Sequence, residues 1–523
     1  MFEEDVSNMD VLFINPSNSK EIYQGLASKY SAIEPPTWSL LLAQSCRAKG
    51  FNVGILDVLA EGLSHLDVVD RISKLSPRLI CFVVYGQNVN AGTAAMSGAV
   101  ALSKFIKEAE IKTPIAYVGS YVQALPHKAL LDEKSIDIVF TNEGVYALHN
   151  ILKLEKFNEE ALQSIQGIGY RHDGEIKLNQ PEKIVPQERM DQDLPGYAWD
   201  LLPYREKPFD LYRSPMWHAE YDEENRSPYA AIQTSLGCNF GCSFCMINII
   251  NRNDNDPIGV ASNYSKMRHW STDFILKEFD KLAAYGVYTI KITDEMFLLN
   301  QKYYLPLCKQ LSERSYSKHL RMWAYSRIDT VRRPEVLEVV RKAGIKWLCL
   351  GIESSNKKVR LEVSKGKFED VDIKEVINKV HEADIEVLAN YIFGLPGDDM
   401  ASLEGTLELS KELCTIAWNG YAAMALPGSK LYKDALIKGY KMPNNYAGYS
   451  FHAYNTQPLP TDHLTPEEIL AFRDKAFNEY HSYPPFLEKV VNRYGEQAKN
   501  NILDMLSVKL KRKILEDSCE IEV

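Results

Sequence analysis

No apolar run in this sequence of 523 residues approaches the ~20 residues that cross a bilayer as a helix, so a helical span is not expected. Positive charge is not in excess either: 60 Lys and Arg stand against 70 Asp and Glu, a formal net charge of −10. That balance disfavours non-specific binding to nucleic acid or to anionic lipid. The opening residues MFEEDVSNMD are acidic where a secretory leader is basic. Internal repeats and low-complexity tracts are absent. Cysteine is sparse, nine residues with one closely spaced group, and without framework spacing it points to free thiols in a reducing cytoplasm. What is present, 45% hydrophobic and 25% charged residues, is the balance of a water-soluble globular protein. The length calls for two or three domains.

The close group is Cys238, Cys242 and Cys245, a C-x3-C-x2-C spacing within AAIQTSLGCNFGCSFCMINII at 230–250. It follows an apolar run, 230–235, that reads as a buried strand, so three thiols meet in one loop at a strand's C-terminal end. Iron–sulfur clusters are held by cysteine thiolates, and a cubane has four irons. Three cysteines leave one iron open, and an open position separates a reactive metal site from a closed structural one. Cys46, Cys81, Cys308, Cys349, Cys414 and Cys519 are scattered, mostly in apolar runs where a free cysteine is a small hydrophobe. Two plainer readings stay open: a three-cysteine zinc site with a distant fourth ligand, or three core cysteines. The zinc site would make the chain a non-catalytic metal and ligand-binding module.

Along the chain, strand patterns at 11–15, 52–57, 79–84, 115–119 and 136–141 alternate with helical patterns at 37–49, 65–75, 91–109, 126–131 and 145–154. Five such units predict a doubly wound, Rossmann-like parallel sheet over 1–155, with ligands beyond the carboxyl ends of its strands. No G-x-G-x-x-G follows the first strand, so a dinucleotide site is not supported. Residues 156–228 read as a link: a hairpin, 167–171 and 175–178 around Asp173-Gly174, then a proline- and acid-rich stretch ending in aromatic sequence. From 229 to 440, strand patterns at 230–235, 287–293, 321–326, 347–351, 386–393 and 418–425 alternate with helical ones. Six units predict a partial (β/α)6 TIM-type barrel with its chemistry at the C-terminal strand ends. Residues 441–523 read as a mostly helical domain, including patterns at 467–480, 485–494 and 496–515.

The triplet, with Phe244 directly before its third cysteine, resembles the radical S-adenosylmethionine (SAM) superfamily. The resemblance implies a 4Fe-4S cluster on Cys238, Cys242 and Cys245. Its open iron would be chelated by SAM, which the reduced cluster cleaves to a 5′-deoxyadenosyl radical. It further implies that SAM is contacted by Phe244, by Asp294 and Glu295 after the second barrel strand, by Arg327 after the third, by Glu353 and Ser354 after the fourth and by Gly394 after the fifth. The first half resembles the cobalamin-binding domain that precedes the radical SAM domain in one subfamily. Its matching segments are VLFINP, GFNVGILD, VGSYVQALP and TNEG. That places cobalamin contacts at Asn15, Gln87, Gly119, Ser120, Asn142, Glu143 and Gly144. This chain has Gly119-Ser120 where members commonly show Gly-Gly, and Asn142-Glu143-Gly144 for Gly-Glu-Gly. No D-x-H-x-x-G supplies a histidine to cobalt; His65 and His127 lie in helical stretches without it. Trp199-Asp200-Leu201-Leu202-Pro203 is similar to the "W-x-L-P" link that bridges the two domains in that family. The implied activity is methyl transfer from methylcobalamin to an unactivated position of a small molecule, with ring closure or oxidation as the alternative. The implied partner is an electron donor of flavodoxin or ferredoxin type. No catalytic acid or base stands out.

Overall fold

The computed structural model describes residues 9–17, 19–85, 89–202, 211–214, 228–247, 267–363 and 371–516. Two sheets carry the architecture. The first comprises β1 (Val11–Asn15), β2 (Val53–Asp57), β3 (Leu79–Val84), β4 (Ile115–Gly119), β5 (Ile138–Phe140), β6 (Ile168–His172) and β7 (Glu175–Leu178), in spatial order β2-β1-β3-β4-β5-β6-β7. The first five are mutually parallel. β3, LICFVV, is buried at every position, as expected of a central parallel strand covered by helices on both faces. Helix His65–Leu75 starts at a capping box in which Ser64 and Asp67 satisfy each other's backbone N–H.

The hairpin expected in the link is the edge of this sheet: β6 runs antiparallel to β5, and β7 to β6. Asp173 and Gly174 both take positive φ, 47° and 83°, the backbone that a two-residue hairpin turn demands. Local patterning shows the hairpin; its attachment depends on the open edge of β5, which cannot be read from 167–178 alone.

The second sheet comprises β8 (Tyr229–Ile232), β11 (Thr289–Ile292), β12 (Arg321–Arg327), β13 (Ile345–Glu353), β14 (Glu386–Phe393) and β15 (Ala417–Ala422), each parallel to the next in chain order. An order without reversal is the path of a barrel wall, here a partial one of six strands. A short ribbon, β9 (Ser235–Leu236) with β10 (Arg268–His269), flanks the cysteine loop. The connecting helices Thr272–Ala284, Gln301–Ser312, Pro334–Lys342, Ile373–Glu382 and Met400–Leu413 bury their apolar faces in one core that extends into the first sheet.

Trp199 donates to Glu278 at 2.9 Å, and Tyr197 exchanges hydrogen bonds with the Gln233 backbone. The link thus packs its rings between the two sheets; its aromatic residues 204, 209, 217 and 221 lie outside the described residues. The helix predicted over 496–515 stops at Ser507. Arg512 is instead drawn into a buried network with Asp474, Thr456 and the Phe451 carbonyl, a tertiary pull that overrides local propensity.

Candidate functional site

In a sheet of order 2-1-3-4-5 the strand sequence reverses between β1 and β3, and the crevice beyond their carboxyl ends is where such folds hold ligands. A cavity of about 490 Å³ opens there, lined by Asn15, Tyr85 and Asn90, and continues without a break into the barrel mouth, where Cys238, Cys242 and Cys245 line it. Tyr449, Ser450, Phe451 and His452 from the C-terminal segment also line it.

Cys238 is buried and the other two are half-buried. The loop leaves β9 through Gly237, whose φ of 92° suits glycine. Burial pushes the Cys238 thiol up to about 12 and the Cys245 thiol to about 11, and raises Cys242 further; neighbouring thiols add to the effect at Cys238 and Cys242, and the carboxyls of Glu295 and Glu353 at Cys245. The Phe240 N–H donates to Cys238 Sγ at 3.5 Å, and Asn90 Nδ2 lies 3.9 Å from Cys245 Sγ. Among the described residues no three His, Cys, Asp or Glu side chains gather around one point to hold a single ion. Three thiols on one loop are the donor set of a cubane, in which each thiolate would meet its own iron and the bound cation would reverse the penalty on ionised sulfur.

Phe244, Glu295, Arg327 and Glu353 also line the cavity, as anticipated for SAM. Glu295 has a buried oxygen, Oε2, without a hydrogen-bond partner, and burial pushes its carboxyl up to about 8. Burial raises Glu353 to about 7, an effect opposed by Arg327; its φ of 65° is rare for a non-glycine residue and concentrates at functional sites. The Arg327 guanidinium sits 3.8 Å from the Phe240 ring centre and pairs with Asp329 at 2.7 Å.

Three anticipated SAM contacts are elsewhere. Asp294 is 1% exposed and accepts from the Thr234 N–H, the Thr234 hydroxyl and the Ser235 hydroxyl, each at 2.6 Å. It staples the end of β11 to the root of the cysteine loop. Ser354 is buried and caps the next turn by accepting from the Asn356 N–H at 3.1 Å. Gly394 lies against Ile469 and borders a separate surface pocket of about 160 Å³.

Of the residues anticipated for cobalamin, Asn15 lines the cavity and Gln87 lies outside the described residues. The other five sit beneath the surface at β4 and β5. A Cβ on Gly119 would come within 2.2 Å of the Val84 carbonyl oxygen, so this glycine permits close approach of β4 to β3. Ser120 is fully buried against Gly92. Asn142 accepts from the Gly144 N–H at 2.9 Å and donates to the Glu182 carbonyl at 2.7 Å. Glu143 is paired with Arg268 at 2.7 Å. His65 and His127 do not line the cavity.

Sequence reasoning missed a polar belt on the inner barrel wall. Lys291 donates to both oxygens of Glu34, at 2.6 and 2.8 Å, and lies 4.8 Å from the Trp323 ring centre. Asn390 donates to Cys349 Sγ at 2.9 Å and accepts from Asn419 at 3.0 Å and Tyr421 at 3.3 Å. Glu34, Cys349, Asn390 and Tyr421 line the cavity, as does His452 from the C-terminal segment. The available signal was polar residues at alternate positions of otherwise apolar strands, which marks an inner face that is not filled as a core.

Residues 232–410 match the family model of the Radical SAM superfamily. The chain is 24% identical over 477 residues to the uncharacterized methyltransferase PH0819 of Pyrococcus horikoshii, covering 91% of this chain and 94% of that one. It is 20% identical over 500 residues to the anaerobic magnesium-protoporphyrin IX monomethyl ester cyclase of Cereibacter sphaeroides, covering 93% and 72%. Its fold matches that of the radical SAM methyltransferase TsrM from Kitasatospora setae, solved with cobalamin and a 4Fe-4S cluster bound, with a TM-score of 0.64 at 13% identity over 95% of this chain and 100% of that one. The cysteine loop at the barrel mouth thus lies within a radical SAM domain at 232–410, and the chain as a whole shares the two-sheet fold of TsrM.

Proposed function

We propose that this chain is a cobalamin-dependent radical SAM methyltransferase acting on a small molecule. The observation that carries the reading is the single cavity shared by the cysteine loop and the β1/β3 crevice, because the chemistry needs two cofactors to face one substrate without intervening water. When bound, the cluster with SAM supplies a carbon-centred radical and cobalamin a transferable methyl group.

Cys238, Cys242 and Cys245 would hold the cluster. Glu295 and Glu353 offer carboxylates to the SAM amino group, whose positive charge would draw both toward ionisation. Phe244 walls the same space. Asn15, Tyr85 and the small side chains Ala94 and Ala95 shape the crevice for a corrin. The belt of Glu34, Asn390 and Tyr421 faces the space left for substrate, and its donors and acceptors favour an oxygen- or nitrogen-bearing molecule over a bare hydrocarbon. A flavodoxin- or ferredoxin-type protein is the proposed electron donor.

The likeness to a cyclase supports ring closure as the second reading. Anaerobic reconstitution followed by mass spectrometry separates the two. Methyl transfer yields a product heavier by one methylene, with S-adenosylhomocysteine beside 5′-deoxyadenosine; cyclisation yields 5′-deoxyadenosine without S-adenosylhomocysteine. Colourless protein carrying zinc in place of iron would sink both.

A further inference from the structure

The helical turn between β3 and helix Gly92–Glu108 carries Asn90, which reaches out of the first sheet's unit and into the cysteine loop. Its side-chain oxygen accepts from the Met246 backbone N–H at 3.2 Å, and its side-chain nitrogen points to Cys245 Sγ at 3.9 Å, within range for a bond to sulfur. One amide therefore holds the loop with its acceptor and addresses a sulfur with its donor. Cys238 receives a backbone donor from its own loop; Asn90 brings a side-chain donor from the other unit, and it lines the common cavity.

We infer that Asn90 is a positioning residue that raises the reduction potential of the cluster bound at Cys245 and ties that potential to the geometry of the β1/β3 crevice. The inference rests on the reading of Cys245 as a ligand to iron. One-electron reduction adds negative charge that is shared by the ligating sulfurs, and an N–H dipole aimed at one of them stabilises the reduced form more than the oxidised one. Hydrogen bonds to sulfur are among the levers by which proteins set such potentials. Because the donor belongs to the crevice wall, a ligand that shifts this wall changes the bond and with it the ease of reduction.

The test is an anaerobic redox titration of reconstituted full-length protein, with dithionite as reductant and the paramagnetic reduced cluster as the signal. Wild type is compared with Asn90→Leu, which removes both bonds, and Asn90→Asp, which keeps the acceptor for Met246 but cannot donate and adds a negative charge. The expected order of midpoints is wild type highest, then Leu, then Asp. The Leu variant should show about a tenfold lower ratio of reduced to oxidised cluster at the wild-type midpoint, which corresponds to about 59 mV for one electron. Full iron content with a wild-type midpoint in both variants overturns the inference. So does loss of iron in both, since Asn90 would then be a structural clamp alone. Wild-type protein that assembles no four-iron cluster would instead refute the assignment of the cysteine loop.

Discussion

Arg268 Nη2 lies 2.7 Å from Glu143 Oε2 with both side chains buried, one on the ribbon beside the cysteine loop and the other on the loop after β5. Glu143 also accepts from the Val185 N–H at 2.5 Å. A carboxylate that the family resemblance assigns to cobalamin is thus a bolt between the first sheet and the ribbon beside the cysteine loop. Removing one partner of a buried pair leaves an uncompensated charge, at a cost of about 3–5 kcal/mol. Glu143→Leu should lower the denaturation midpoint accordingly. The double variant Glu143→Leu with Arg268→Met should recover most of the loss; equal destabilisation of single and double variants would show that the pair itself is not the source.

Replacing Cys238, Cys242 and Cys245 together by alanine should abolish four-iron content and 5′-deoxyadenosine formation while the far-ultraviolet spectrum stays that of the wild type. Iron and sulfide analysis after reconstitution checks this. Retained iron at near-stoichiometric level would end the radical SAM assignment of the loop.

Asp294 and Glu295 are neighbours with separable jobs. Glu295→Gln should weaken SAM binding by about tenfold to a hundredfold, since a hydrogen bond to a charged group contributes roughly 1.5–3 kcal/mol, with the cluster intact. Asp294→Ala should loosen the root of the cysteine loop, lowering iron retention and stability through three lost hydrogen bonds. Calorimetric titration with SAM and iron analysis read the two effects. An iron loss in the Glu295 variant with SAM affinity unchanged would reverse the assignment.

In metal-free protein, burial raises Glu295 to about 8 and Glu353 to about 7, against about 4.3 in the unfolded chain. The folded state therefore binds more protons between these limits, and stability must fall as pH rises through them. It is fully present below about pH 4.3, so far as these groups are concerned, and lost by about pH 8. Urea midpoints across this window should decline, and Glu295→Gln should flatten the decline. A slope unaffected by that substitution would mean that the carboxyl titrates normally.

Ala94, on the helix after β3, is 5% exposed and lines the crevice. Ala94→Phe should fill the side of the cavity assigned to the corrin, so that cobalamin no longer co-elutes on gel filtration while iron content is unchanged. Undiminished cobalamin absorbance would remove the crevice from consideration. Ser120 is unsuited to the same test, because it is fully buried and any larger side chain there disrupts the packing of β4 on helix Gly92–Glu108.

The elements and the metal loop were legible in the sequence because both are local. Strands β1, β3 and β4 and helix His65–Leu75 fall on the predicted residues, since an apolar run bounded by turn residues or a capping box specifies its own conformation. The spacing of Cys238, Cys242 and Cys245 is likewise a property of one loop, and so is its place after a strand. What tertiary structure decided is which strand ends face a ligand and which face a neighbour. Asp294 stands directly beside Glu295, which lines the cavity, whereas Glu143, Ser120 and Gly394 stand at strand ends of the same kind and do not line it; nothing in their own segments separates the two groups. The difference arises because the segment after β8 and strand β10 come from elsewhere in the chain and place a partner, Thr234 for Asp294 and Arg268 for Glu143, against one carboxylate while leaving an oxygen of Glu295 without one. A buried polar group is either bonded within the protein or available to a ligand, and that choice depends on contacts between segments 60 and 125 residues apart.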